Sequence, residues 1–92
     1  MLELAAICDQ EYAVELKAAL QLQLAAGTNI DLDASNVDEV STSFVHLVES
    51  AVATTRQAGV GLAIHNPSDA FIAAYEDLGL LPNLMQIFAE PV

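Results

Sequence analysis

The chain has 92 residues, 54% of them apolar, and carries thirteen acidic against two basic residues for a formal charge of −11. That length accommodates one core, so a single domain over residues 1–92 is expected, and the acidity repels phosphate backbones and anionic headgroups, which argues against nucleic acid and membrane surfaces as partners. Polar residues break every apolar run before it could span a bilayer, Met1-Leu2-Glu3-Leu4 carries no basic stretch ahead of a long apolar one, and the lone Cys8 can close no internal disulfide; the expectation is a cytoplasmic protein without membrane insertion.

Leu2 to Ile7 alternates at first and reads as a strand, and Tyr12 to Ala26 reads as a helix. In that helix Leu16, Leu20 and Leu24 recur every four residues with Ala13 in the same stripe, which predicts the face turned to the core. Gly27 follows the last periodic residue, where a left-handed backbone is cheapest without a β-carbon. Asn29 to Ala34 alternates at period two, so Ile30 and Leu32 point one way and Asp31 and Asp33 the other: a second strand.

Ser35 to Val40 supplies turn residues, and Ser41-Thr42-Ser43 offers three consecutive caps at the start of a long helix. Phe44, Leu47, Val48, Ala51, Val52 and Thr55 form its inward stripe, while His46, Glu49, Ser50 and Arg56 occupy other faces. Gly59 and Gly61 end the helix, and Leu62-Ala63-Ile64 is a short apolar run of the kind found in buried parallel strands. Asn66 is read as the cap of the next helix, with Pro67 at its first position, Asp69 near the positive end of its dipole, and Phe71, Ala74, Tyr75 and Leu78 turned inward. Gly79 closes it, and Leu80 to Phe88 is either a short helix after Pro82 or a last edge strand.

Alternation of strand and helix predicts the α/β class: a small, largely parallel sheet of three to five strands covered by helices. The chemistry-bearing residues are sparse. His46 and His65 lack a second ligand-type residue at helical spacing and read as a surface and a strand-end residue, so no metal is expected. Cys8, beside Asp9 and without a nearby cation, reads as a half-buried structural thiol. Asp31 and Asp33 share a strand face, as a general acid and base pair would, but a domain this small has little room for a deep cleft, and the face reads as solvated or as part of a docking surface. No glycine-rich phosphate loop is present, and no cofactor is expected.

The order of strand, Leu16-Lys17, Leu32-Asp33-Ala34-Ser35, β-branched turn, Ser/Thr-rich helix start, Asn66-Pro67-Ser68 and Leu78-Gly79-Leu80 resembles the STAS domain, known from sulfate transporters and anti-sigma factor antagonists. The resemblance runs from Leu2 to about Val92 and is closest to the short free-standing bacterial members. Those lack the first strand of longer relatives and end in a Phe-x-Asp-Pro-like tail, to which Phe88-Ala89-Glu90-Pro91 is similar. In the family, Asp-Ser/Thr-x-Gly opens a helix and its hydroxyl residue is the phosphorylation site. Thr42 matches that residue, Ser41 stands at the Asp position and Phe44 at the Gly position.

The resemblance implies a non-enzymatic regulatory module whose partner-binding surface comprises Asp33, Ser35, Asp38, Glu39, Ser41, Thr42, Ser43, Phe44 and His46, with Thr42 or Ser43 phosphorylated. The implied protein partner is an anti-sigma factor, a serine/threonine kinase or another signalling protein, as in chemotaxis-type pathways. Three other readings stay open. One is a constitutive adaptor, similar to the STAS subunit of a lipid-transport ATPase, and another a small enzyme using Asp31, Asp33 or Cys8. The third is a homodimer formed through Leu80, Leu81, Leu84, Met85 and Phe88. For Ser41, Thr42 and Ser43 the plain alternative is helix capping, worth about 1 kcal/mol.

Overall fold

The computed structural model describes residues 1–89, so Glu90 and Pro91 of the tail lie outside the described residues. Four strands, β1 (Leu2–Glu3), β3 (Ile30–Asp33), β5 (Leu62–His65) and β6 (Phe88–Ala89), lie in the order β1-β3-β5-β6, and every pairing is parallel. A separate parallel ribbon joins β2 (Ile7–Cys8) to β4 (Glu39–Val40). Helices α1 (Gln10–Ala25), α2 (Thr42–Ala58), α3 (Asp69–Asp77) and α4 (Leu81–Ile87) complete the α/β domain.

Register explains why the sheet has one dry face and one wet face. Leu32 sits level with Leu2 and Ile64, Ile30 level with Leu62, and Ile64 level with Phe88, so one face is wholly apolar; Ile30, Leu32 and Ile64 are fully buried there beneath the helices. The same pairing puts Asp33 level with Glu3 and His65, and Asp31 level with Ala63, on the other face, where all five stay at least partly exposed. A one-residue slip of β3 would drive both aspartates into the core, so the alternation that marks the strand also pins its register.

Asp9 caps α1 by accepting a hydrogen bond from the Tyr12 amide at 2.9 Å, so the helix begins at Gln10, two residues before the predicted start at Tyr12. Ala13, Leu16 and Leu20 are buried as the periodicity requires, and Gly27 takes its left-handed conformation (φ 72°) just past the end. In α2 the Ser41 hydroxyl caps the Phe44 amide, and Gly59 (φ 73°) lets its own N–H and that of Val60 return to Arg56 and Thr55. A side chain at Gly59 would meet nothing nearby, so its replacement is opposed by backbone strain alone. Of the α2 stripe Phe44, Val48, Val52 and Thr55 are buried and Leu47 and Ala51 half-buried, and Val45 is buried as well, because α2 is flanked on both sides: Phe44 stacks on Tyr12 of α1 at 5.9 Å between ring centroids, while Val45 lines a recess with Ala74 and Leu78 of the α3 segment.

Several expectations are corrected. Leu2 to Ile7 is not one strand: the chain bends at Ala5-Ala6, the Ala6 carbonyl accepts from the Asp38 and Glu39 amides, and the two halves enter different sheets. Asn66 does not cap α3. It adopts a left-handed conformation (φ 50°), Pro67 stays outside the helix, and Ser68 caps the Phe71 amide at 3.2 Å. Leu78 ends the helix at 38% exposure instead of facing the core. Cys8 is fully buried, its thiol donating to the Ala5 carbonyl at 3.3 Å. The short helix expected within Leu80 to Phe88 is present as α4 (Leu81–Ile87), but it begins before Pro82 and gives way to β6 at Phe88.

Phe44 is wholly buried and stacked, so truncation leaves a cavity the neighbours cannot fill. Phe44→Ala is expected to destabilise the domain by about 3–5 kcal/mol, measured as the loss of unfolding free energy in a urea titration followed by circular dichroism.

Candidate functional site

The region singled out by the sequence is the junction from the end of β3 to the first turn of α2. Beyond β3, the Asp33 carboxylate accepts from the Ser35 amide at 2.9 Å and closes a tight turn. Hydrogen bonds from the Ser35 backbone and hydroxyl, helped by the nearby His65, hold the Asp33 carboxyl below the usual aspartate range. The Ala34 amide donates to the His65 carbonyl at 2.9 Å, which keeps the turn attached to β5.

Ser68 is the residue that fixes this turn, and sequence reasoning missed it. Its amide donates to the Ala34 carbonyl at 3.1 Å, and its hydroxyl donates to the Val37 carbonyl at 2.6 Å while accepting from the Phe71 amide. One side chain therefore caps α3 and clamps the turn that leads to α2. A signal was present, because Ser68 stands directly before Asp69-Ala70-Phe71, but Asn66 and Pro67 together mimic a cap followed by a first helical residue. Downstream, Val37 is buried, β4 pairs with β2, and the Ser41 amide donates to the Cys8 carbonyl at 2.9 Å, so the N-terminus of α2 is anchored from below.

On this support the predicted residues separate into three groups. Asp38, Glu39, Thr42, Ser43 and His46 are exposed, with Ser41 half-buried beside them. Thr42 borders a shallow recess whose other walls are Val40, Ser41, Val45, Ala74, Asp77 and Leu78, which brings a third carboxylate, Asp77, to the same place. Asp33 and Ser35 belong to a second group at the end of β3, and Asp33 lies on the open sheet face, where its neighbour Asp31 meets the His65 Nε2 at 2.8 Å. Phe44 forms the third group alone. It was expected at the docking surface, but its side chain is 0% exposed and is spent on the core, where it stacks on Tyr12.

Helical geometry leaves the first amides of α2 without intrahelical acceptors. Ser41 takes the Phe44 amide, and those of Thr42 and Ser43 face outward at the positive end of a 17-residue helix. The hydroxyls there are reachable from solvent and sit where added negative charge is locally favoured, although Asp77 lines the same recess as Thr42 and the exposed Asp38 and Glu39 precede it closely in the chain. Cys8 offers no comparable chemistry: burial, and then the Asp9 charge, push its thiol up to about 11, so the thiolate is disfavoured.

The family model described as Mlab, STAS domain matches residues 1–84. No curated protein and no solved structure matches the chain.

Two outcomes follow from this geometry. Ser68→Ala removes the α3 cap and the Val37 clamp together and should lower unfolding free energy by roughly 1–2 kcal/mol, with amide shifts at Asp38 to Ser43 in a two-dimensional NMR spectrum although the substitution lies 25 or more positions away. Burial raises the pKa values of Cys8, Tyr12 and Tyr75, so the unfolded chain ionises first as the solution becomes alkaline. Stability is then fully present below the ordinary thiol range and declines as pH rises towards about 11, and Cys8→Ala should make the melting temperature fall less steeply over that interval.

Proposed function

Because this chain belongs to the STAS domain family, we propose that it is a non-enzymatic regulatory binding module that works by partner-switching, with Thr42 as its switch. The observation that carries this reading is the exposure of the Thr42 hydroxyl at the first position of α2, on a turn held rigidly by Ser68 and by the β2–β4 ribbon. The unmodified surface, Asp38, Glu39, Ser41, Thr42, Ser43 and His46, binds a protein partner of the anti-sigma factor or serine/threonine kinase type. Asp33 and Ser35 extend that surface along the end of β3. The acidity of the region favours a partner with a basic docking patch.

Phosphate on Thr42, or on Ser43 one position along, adds about −1.5 to −2 charges. The free amides and the helix dipole tolerate the modification. A partner seated over the helix start does not, since it meets new bulk and charge beside Asp77. The switch is therefore off when modified.

A second reading has its own support. Ser41 is committed to capping and Phe44 to the core, at the two positions where the family's phosphorylated motif has Asp and Gly. This favours a constitutive adaptor, in a chemotaxis-type or lipid-transport ATPase complex, that docks through the same helix start without modification.

Incubation with the cognate kinase followed by mass spectrometry is expected to place phosphate on Thr42 or Ser43. Thr42→Glu should weaken binding to the isolated partner at least tenfold while Thr42→Ala retains it. Absence of phosphate on both hydroxyls, with the partner still bound, transfers the assignment to the adaptor.

A further inference from the structure

A surface helix of a small domain normally has one apolar stripe and a polar back. On α1 the back is only partly polar. At 100° per residue the positions opposite the buried Ala13, Leu16 and Leu20 are Val14, Ala18, Leu22 and Ala25, all four exposed; Val14 is 68% and Leu22 75% open to solvent. These residues run at i, i+4, i+8 and i+11 for about 16 Å along the helix, at 1.5 Å per residue. Gln10 and Gln21 border the stripe on the side of α2, Glu15 lines its other margin, and Glu11, three residues before Val14, closes the stripe at its amino-terminal end.

Shape and charge together select the occupant. A straight line of four side chains on one helix is too small for the ~1,600 Å² that a stable pair of globular proteins buries, but it suits a single docked helix. A second copy would bring a further charge of −11 against the first, and anionic lipid or nucleic acid would be repelled in the same way. We infer that the outward face of α1 is a docking site for a basic amphipathic helix of another protein, whose apolar side covers Val14, Ala18, Leu22 and Ala25 and whose cations reach Glu11 and Glu15. The start of α2 touches the chain at the Cys8 carbonyl, before α1 begins, whereas the apolar stripe starts more than a helical turn further on at Val14.

The test is fluorescence anisotropy of a labelled 14-residue amphipathic peptide of leucine and lysine titrated with the full chain, with a leucine and glutamate peptide as control. The basic peptide should bind one to one, and the acidic peptide should not. Val14→Ser with Leu22→Ser should weaken binding at least tenfold without lowering the melting temperature, Glu11→Gln with Glu15→Gln should flatten its salt dependence, and Thr42→Glu should leave it unchanged. If the serine variant is unstable, Ala18→Arg, at a position open to solvent, should abolish binding in a folded chain. Equal affinity for the Val14/Leu22 or Ala18 variant, no binding at millimolar concentration, or sedimentation of the wild type as a dimer that these substitutions dissociate would each overturn the inference.

Discussion

The structure depends on the hydrogen bonds that Ser68 and Ala34 make at the carboxyl end of the central strands. Ala34 is tied to β5 through its amide and to α3 through its carbonyl, and the Ser68 hydroxyl reaches across to Val37. In a parallel sheet the chain must leave one strand and travel over a helix before returning, and the direction of departure decides where that helix lies. Here the departure from β3 is clamped by the start of the following crossover. The position of α2 is therefore set by α3, a later segment of the chain.

That constraint reaches the functional surface through short steps. Val37 is pulled into the core, Asp38 and Glu39 donate to the Ala6 carbonyl, β4 pairs with β2, and the Cys8 carbonyl receives the Ser41 amide. Each step satisfies a backbone group that would otherwise be left without a partner at considerable expense in free energy. The result is a helix start whose amides and hydroxyls are displayed in a fixed orientation, which is what recognition by another protein requires. Preorganisation of this kind lowers the ordering cost of binding.

Charge shapes both surfaces of the domain, though in different ways. At Thr42 the Asp77 carboxylate shares a recess with the amino end of α2, so a modest change in local charge alters what can dock there. Along α1 the acidic residues only frame an apolar stripe, and burial of that stripe supplies the contact. The open face of the sheet, with Glu3, Asp31, Asp33 and His65, adds to the solvation of a molecule that is more than half apolar by composition.

Much of this was legible in the amino-acid sequence. Alternation at Ile30 to Asp33 and the apolar run at Leu62 to Ile64 marked the central strands, the stripe from Phe44 to Thr55 marked α2, and three adjacent hydroxyl residues marked its exposed start, because period and capping chemistry are local properties. What remained hidden depended on distant partners. The break between β1 and β2 exists because Leu2 pairs with Leu32 while Ile7 pairs with Glu39, and no local signal says that neighbouring residues will join different sheets. Phe44 could be read as an anchor for another protein until Tyr12 was found stacked upon it, and Asp77 came to Thr42 only through the packing of α3 on α2. The pattern of side chains along the chain thus determined which elements form and which hydroxyls lie at a helix start. Only the tertiary contacts decided which of those groups face solvent, since burial is a property of the neighbours a residue acquires.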